Sequence, residues 1–226
     1  MNLAIIIAAS FRYFEQYNWS KLRLTENWKL AFICADDDKE KLEGKGGRIL
    51  KTCPVKRIHG EPNGRFSEDD LRPIISELSL SYENIQLISI DEGILHTVAR
   101  LREEFDLTAQ DADDVLLLSD KEKAYIKLSS RSIRVPRFTS ETQAFDKIVE
   151  HVGCPFILKP VSSSGAFGIR IIEDITAFSS MEKESSQEYI ANEFIDGKLY
   201  HCDLQFQAGK LVFSSVGEYL NPLSRS

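Results

Sequence analysis

The sequence predicts an α/β protein: a parallel sheet with amphipathic helices in the first half, then a mixed stretch ending in antiparallel strands. Three observations carry this. The runs Leu3 to Ala9, Lys29 to Ala35 (KLAFICA) and Ile85 to Ile90 are largely apolar, as central parallel strands buried on both faces are. Helical periodicities follow such runs, and strands alternating with amphipathic helices are the pattern of a parallel-sheet domain. Near the C-terminus, Tyr200, Cys202, Leu204 and Phe206 alternate with His201, Asp203 and Gln205, as in a half-buried strand. Ala208-Gly209 then turns the chain into Lys210 to Ser215, an antiparallel hairpin.

Each element has a local reason. Leu3 to Ala9 is the first strand, and Phe11 to Trp28 is expected to hold some helix. Asp36-Asp37-Asp38 after the second strand reads as a solvated turn that starts a helix. Gly44 to Gly47 is a loop and Pro54 to Ile58 a short edge strand. Ser67 caps a helix that presents Leu71, Ile74, Ile75 and Leu78. Asp91 starts another, with Ile94, Val98, Leu101 and Phe105 on one face. Asp111 to Leu118 is a short helix. Ser119 with Glu122, and Ser140 with Gln143, read as capping boxes for two further helices. Lys121 thereby falls in a first helical turn, where the helix dipole opposes a cation by a few tenths of a kcal/mol, roughly. Arg134 to Phe138 is extended, because Pro136 disfavours helix before it. The helix after Ser140 carries Ala144, Phe145, Ile148, Val149 and Val152 on one face. Asp174 opens a short helix towards Met181, and Gln187 to Ile195 is a strand ending at an Asp196-Gly197 turn.

Composition narrows the function classes. The 226 residues are 42% hydrophobic and 28% charged, as in a globular protein in water. A net charge of −7 argues against a nucleic-acid partner spread over the surface. The apolar N-terminal run lacks a basic flank and is too short to span a membrane, so a cytoplasmic protein without a membrane partner is expected. Cys34, Cys53, Cys154 and Cys202 are far apart, without the spacing of a zinc site, and read as free buried thiols. The chain has no GxGxxG after its first strand, no Walker lysine and no GxSxG elbow. His96 and His151 read as helix-surface or packing residues; His201 shares a strand face with Asp203.

The stretch Cys154 to Ile172, CPFILKPVSSSGAFGIRII, carries the most chemistry. Strand, small-residue loop and strand follow one another, with Lys159 at the mouth of the loop. Glycine and serine let backbone amides and hydroxyls turn towards phosphate oxygens, and a lysine on a packed strand adds a fixed positive charge. An ordinary polar hairpin beside a surface lysine has the same local pattern.

The ordered set is more specific than any one part. "SDK", "RVPRF", a helix, "PFILKP", the Ser/Gly loop, "NEFIDG" and a strand holding "HCD" together resemble the ATP-grasp family of ATP-dependent ligases, over about Asp111 to Ser226. The resemblance implies a parallel-sheet pre-ATP-grasp domain over 1–110, ATP-grasp subdomain A over 111–185, and the start of an incomplete antiparallel subdomain B over 186–226. It implies that Lys121 and Lys159 contact the phosphates of ATP. Ser162, Ser163, Ser164, Gly165 and Gly168 would lie in the loop that closes over them. Backbone groups of Glu193, Phe194 and Ile195 would read the adenine edge. Asn192 stands where the family commonly has an acid facing the adenine amino group, and its amide oxygen accepts from that group as well.

Two departures qualify the match. The glutamate that usually follows the hinge glycine by two residues, holding the ribose, is replaced by Leu199. The family's magnesium-holding acids and its catalytic asparagine and arginine would lie beyond Ser226. No catalytic or metal-binding residue is therefore assigned within the chain. Complete relatives use ATP and magnesium to activate a carboxylate as an acyl phosphate, which an amine then attacks. The resemblance thus implies the ATP-binding portion of such a ligase, inactive alone, with small carboxylate and amine substrates and room for a homodimer. The alternative is a non-catalytic ATP-binding or interaction module that needs a partner chain.

Overall fold

A computed structural model of the chain describes residues 1–9, 27–40, 49–55 (backbone only), 66–89, 91–107, 111–163, 168–181 and 188–220. The expected helix within 11–28, the Gly44 to Gly47 loop, Ile90 and Gln187 lie wholly or mostly outside these residues. Two compact units divide the chain, 1–120 and 121–226.

In the first unit, strands β1 (Asn2–Ile7), β2 (Trp28–Ala35), β3 (Ile49–Val55) and β4 (Asn84–Ser89) form a sheet in the order β3-β2-β1-β4, with every pairing parallel. β1 is central and apolar from Leu3 onward because both of its faces are buried there. Leu3, Ile5 and Ile7 join Leu71, Ile75, Val98 and Leu101 in one core. Ala4 and Ile6 join Leu30, Phe32 and Cys34 in another. Each such large side chain contributes about 1.5–3 kcal/mol on burial. Leu71 and Ile75 come from α1 (Glu68–Ser79), and Val98 and Leu101 from α2 (Leu95–Glu104). Ser67 caps α1, accepting from the Asp69 N–H. Buried Asp91 accepts from the Gly93 and Ala9 N–H groups, joining the end of β1 to the turn before α2. The unit closes with α3 (Ala112–Leu116), capped by Asp111.

The second unit contains α4 (Lys121–Ser130), β5 (Phe138–Thr139), α5 (Phe145–Val152), β6 (Phe156–Pro160), β7 (Arg170–Ile172), α6 (Ile175–Ser179), capped by Asp174, and β8 (Tyr189–Glu193). Its four strands pair antiparallel in the order β5-β8-β6-β7. β9 (Tyr200–Gln207) and β10 (Lys210–Glu218) make a separate hairpin, turned at Ala208 and Gly209, both with positive φ. No helix among the described residues is long and apolar enough to cross a membrane.

Several local expectations are corrected. Ser119 does not cap α4; its hydroxyl donates back to the Leu116 carbonyl in the turn that ends α3. Ser140 does not cap α5, which begins five residues later with Ala144 at the cap position and no side-chain cap bond. The polar run there closes a turn instead, with the Glu141 N–H donating to Thr139 Oγ1 and the Thr142 N–H to the Ser140 carbonyl. Asp38 of the acidic turn is buried, whereas Asp36 and Asp37 are exposed. Cys34 is buried as expected, but Cys154 and Cys202 are exposed. β9 is exposed at every position, not half-buried, since alternation defines two faces but does not supply the layer that covers one.

Candidate functional site

The sheet of the second unit has two unlike faces. In an antiparallel sheet directly opposed residues share a face, and alternate residues of one strand do too. One face is packed: Phe156 and Leu158 of β6, Ile172 of β7 and Ala191 of β8 meet Ile148 and Val152 of α5, with Phe178 of α6 beside them. The pairings Ile157↔Asn192 and Lys159↔Ile190 put those four residues on the opposite face, together with Phe138, which opposes Asn192 from β5. Lys159 and Asn192, far apart in sequence, thus project from one sheet surface.

Helix α4 brings a second lysine to this region. Lys121 Nζ donates to the carbonyl oxygens of Val161 (3.2 Å) and Ser163 (2.9 Å) and approaches Ser163 Oγ at 3.4 Å. The Lys121 N–H also donates to the Val161 carbonyl. One turn on, Tyr125 accepts from Lys159 Nζ at 3.1 Å, with the ammonium 5.5 Å from its ring centroid. The Tyr125 and Phe138 rings lie 5.2 Å apart. Lys121 and Tyr125 share a helix face because they are four residues apart.

The Ser/Gly loop leaves from this point. Ser162 is exposed and Ser163 half-buried, while Ser164 and Gly165 lie outside the described residues. Gly168 marks the return, with φ +71°; a Cβ there would come 2.7 Å from Pro160 Cγ. Only glycine allows the returning backbone to pass the proline ring so closely in this conformation. The two ends of the loop are therefore held together, one by Lys121 and the other by the contact with Pro160.

The 192–195 segment divides into separate tasks. Glu193 is a structural clasp: its carboxylate accepts from Arg137 N–H (2.9 Å) and Nε (2.7 Å), and its own N–H donates to the Arg137 carbonyl. These bonds hold the Glu193 carboxyl below the usual carboxylate range. Arg137 also donates to the Val152 carbonyl. Phe194 is half-buried and Ile195 exposed. Asn192 is 2% exposed, and among the described residues neither its Oδ1 nor its Nδ2 has a hydrogen-bond partner. An orphaned buried polar atom costs about 1–3 kcal/mol, so a fold keeps two of them together only under a constraint that packing does not supply.

Tyr125 and Arg137 were missed from sequence. The i,i+4 spacing of Lys121 and Tyr125 was the available sign for the first, and nothing local marks the second. On the hairpin, His201 Nε2 lies 3.5 Å from Asp203 Oδ2, its ring packs edge-on against Tyr219 at 5.0 Å, and it covers Gly217, where any Cβ would collide with the imidazole. Among the described residues, no three His, Cys, Asp or Glu side chains form a cluster able to hold a metal ion. A cavity of about 520 Å³ in the first unit, beside Trp28, Tyr82 and Phe105, contains none of the expected site residues.

The family model of the ATP-grasp domain matches residues 118–220, the stretch that contains Lys121, Lys159 and Asn192. Residues 118–220 are an ATP-grasp domain. The chain is 26% identical over 192 residues to an L-arginine-specific L-amino acid ligase of Bacillus subtilis, covering 77% of this chain and 46% of the relative. The crystal structure of an L-amino acid ligase from Bacillus licheniformis is similar with a TM-score of 0.70 at 18% identity, over 96% of this chain and 50% of that one. An N5-carboxyaminoimidazole synthetase from Staphylococcus aureus, solved with ADP, is similar with a TM-score of 0.68 at 16% identity, over 99% and 56%. The chain thus spans about half the length of these ATP-grasp relatives.

Proposed function

We propose that the chain is the ATP-binding portion of an ATP-grasp ligase that activates a carboxylate for attack by an amine. The observation that carries this is the sheet surface bearing Lys159 and Asn192, with Lys121 at the root of the Ser/Gly loop. The residues fit a nucleotide. Lys159 is held at the end of a packed strand, its ammonium on a tyrosine hydroxyl and, among the described residues, on no carboxylate, so its charge remains for phosphate oxygens. Lys121 fixes the start of the loop whose amides and hydroxyls would direct the polyphosphate, and its own charge adds to the same region. Asn192 supplies an amide with no competing partner for the edge of a base. Phe194 and Ile195 would add backbone groups along that edge.

ATP supplies the phosphoryl group that turns a carboxylate into an acyl phosphate; attack by an amine forms the amide and releases phosphate. The residues of this chain would bind and orient the nucleotide and neutralise its charge, with magnesium assisting; none is assigned to the metal. Amino-acid or other small carboxylate and amine substrates are the reading that the ligase relatives favour. We place the pre-ATP-grasp domain at 1–110, subdomain A at 111–185 and the start of subdomain B at 186–226. A second reading, an ATP-binding module that works with another polypeptide, is favoured by the exposed apolar face of the hairpin, where Leu204, Phe206, Leu211 and Val216 are each more than half exposed.

Calorimetry with ATP, with and without magnesium, tests the site. Lys159→Ala is expected to weaken binding at least tenfold, the loss of one charge-assisted contact worth about 1.5–3 kcal/mol. An ATP affinity unchanged by that substitution would refute the assignment.

A further inference from the structure

We infer that Asn192 sets the base specificity of this site, and that it makes the site accept 6-oxo purine nucleotides as well as adenine nucleotides. The inference rests on the nucleotide reading above and deepens it. Asn192 lies on the surface that carries Lys159, which pairs with Ile190 two residues along the β6–β8 ladder. Its side chain is buried, and both polar atoms lack a partner.

An ionised carboxylate presents acceptors only. It matches a 6-amino group and repels a 6-oxo group. A side-chain amide presents one acceptor and two donors, and a half-turn about its terminal torsion exchanges them. Asn192 therefore accepts from a 6-amino group through Oδ1 or donates to a 6-oxo group through Nδ2. No neighbour fixes the choice, because no hydrogen bond holds either atom. In many buried amides a backbone partner locks one orientation; here the ligand decides it. A 6-oxo base also carries a proton on N1. The strand ends at Glu193, and a carbonyl oxygen of the Phe194–Ile195 backbone is the acceptor that this proton would require. The Glu193 N–H itself is committed to Arg137 and takes no part.

Burial adds a requirement. The amide is covered, so a base reaches it only by displacing side chains of this face. Phe138 opposes Asn192 directly, and Tyr125 packs on Phe138 while holding Lys159.

The experiment is equilibrium binding of ATP, ITP and GTP to the full chain, followed by ligand-observed NMR at nucleotide concentrations up to the millimolar range. ITP isolates the 6-oxo group, and GTP adds the 2-amino group. ATP and ITP are expected to bind within about tenfold of each other, the uncharged hydrogen bonds at position 6 and at N1 being exchanged for others of the same kind. Asn192→Asp is expected to weaken ITP at least tenfold relative to ATP, and Asn192→Leu to weaken both alike. An ITP affinity more than a hundredfold below that of ATP on the unsubstituted chain overturns the inference, whether or not the variants fold. So does an ATP-to-ITP ratio left unchanged by a folded Asn192→Asp chain. Either result leaves ATP binding and its dependence on Lys159 standing. Absence of ATP binding would instead overturn the nucleotide site and this inference together.

Discussion

Replacing Asn192 by leucine is expected to stabilise the second unit while weakening nucleotide binding. The two side chains have the same number of heavy atoms and the same branch point, so leucine fills the space without a large cavity or clash. Asn192 buries two polar atoms that have no partner. Each costs about 1–3 kcal/mol, and the substitution removes both, for an expected gain of about 2–6 kcal/mol. With a urea m-value of about 2 kcal/mol/M, the unfolding midpoint would rise by about 1–3 M. Far-UV circular dichroism follows both units. Tryptophan emission follows the first unit only, since the two tryptophans are Trp19 and Trp28. The shift should therefore appear in the dichroism transition and be absent from the tryptophan transition. A dichroism midpoint that stays or falls would mean that Asn192 is satisfied in the folded chain, and its amide would then not be held ready for a ligand. A rise in both transitions would mean that the two units unfold together.

Two further outcomes follow from the surrounding geometry. Gly168→Ala is expected to destabilise the second unit by about 1–3 kcal/mol, because it combines a positive φ with a clash on the Pro160 ring; a urea midpoint equal to that of the unsubstituted chain would refute the close passage of the loop. Glu193→Gln should be less stable than the unsubstituted chain at neutral pH, since Arg137 holds the folded carboxyl below its unfolded range. That stabilisation is present above the unfolded value and is lost as pH falls through the folded one. The gap in urea midpoint should therefore close on acidification towards about pH 2, and a gap constant over the whole range would contradict the clasp.

What the sequence revealed depended on how far apart the interacting residues lie. β1 and β2 were legible because burial on both faces leaves an apolar run that local reading detects. The cap at Ser67 and the helix starts near Asp111 and Asp174 were legible because a cap acts within three residues. The same rule misread Ser119 and Ser140, whose polar neighbours serve turns that precede a helix by one or several positions. The clasp of Arg137 on Glu193 and the contact of Lys121 with Ser163 join residues that only the folded sheet brings together. The alternation of β9 was read correctly as strand and wrongly as half-buried, because burial belongs to the covering layer and not to the strand itself.

The site surface is set by packing on the other side of its sheet. Phe156, Leu158 and Ala191 face α5 and α6, which forces Ile157, Lys159, Ile190 and Asn192 outward from that core. A one-residue slip of β6 would exchange these sets, driving Lys159 against Ile148 and Val152 and exposing Leu158. Burying that ammonium without a partner costs several kcal/mol, and the lost apolar burial adds to it. The register that places a lysine and an amide on one surface is thus fixed by residues that touch neither. Polar substitutions in the α5 core should consequently disturb the candidate site through the sheet, without removing any group that faces it.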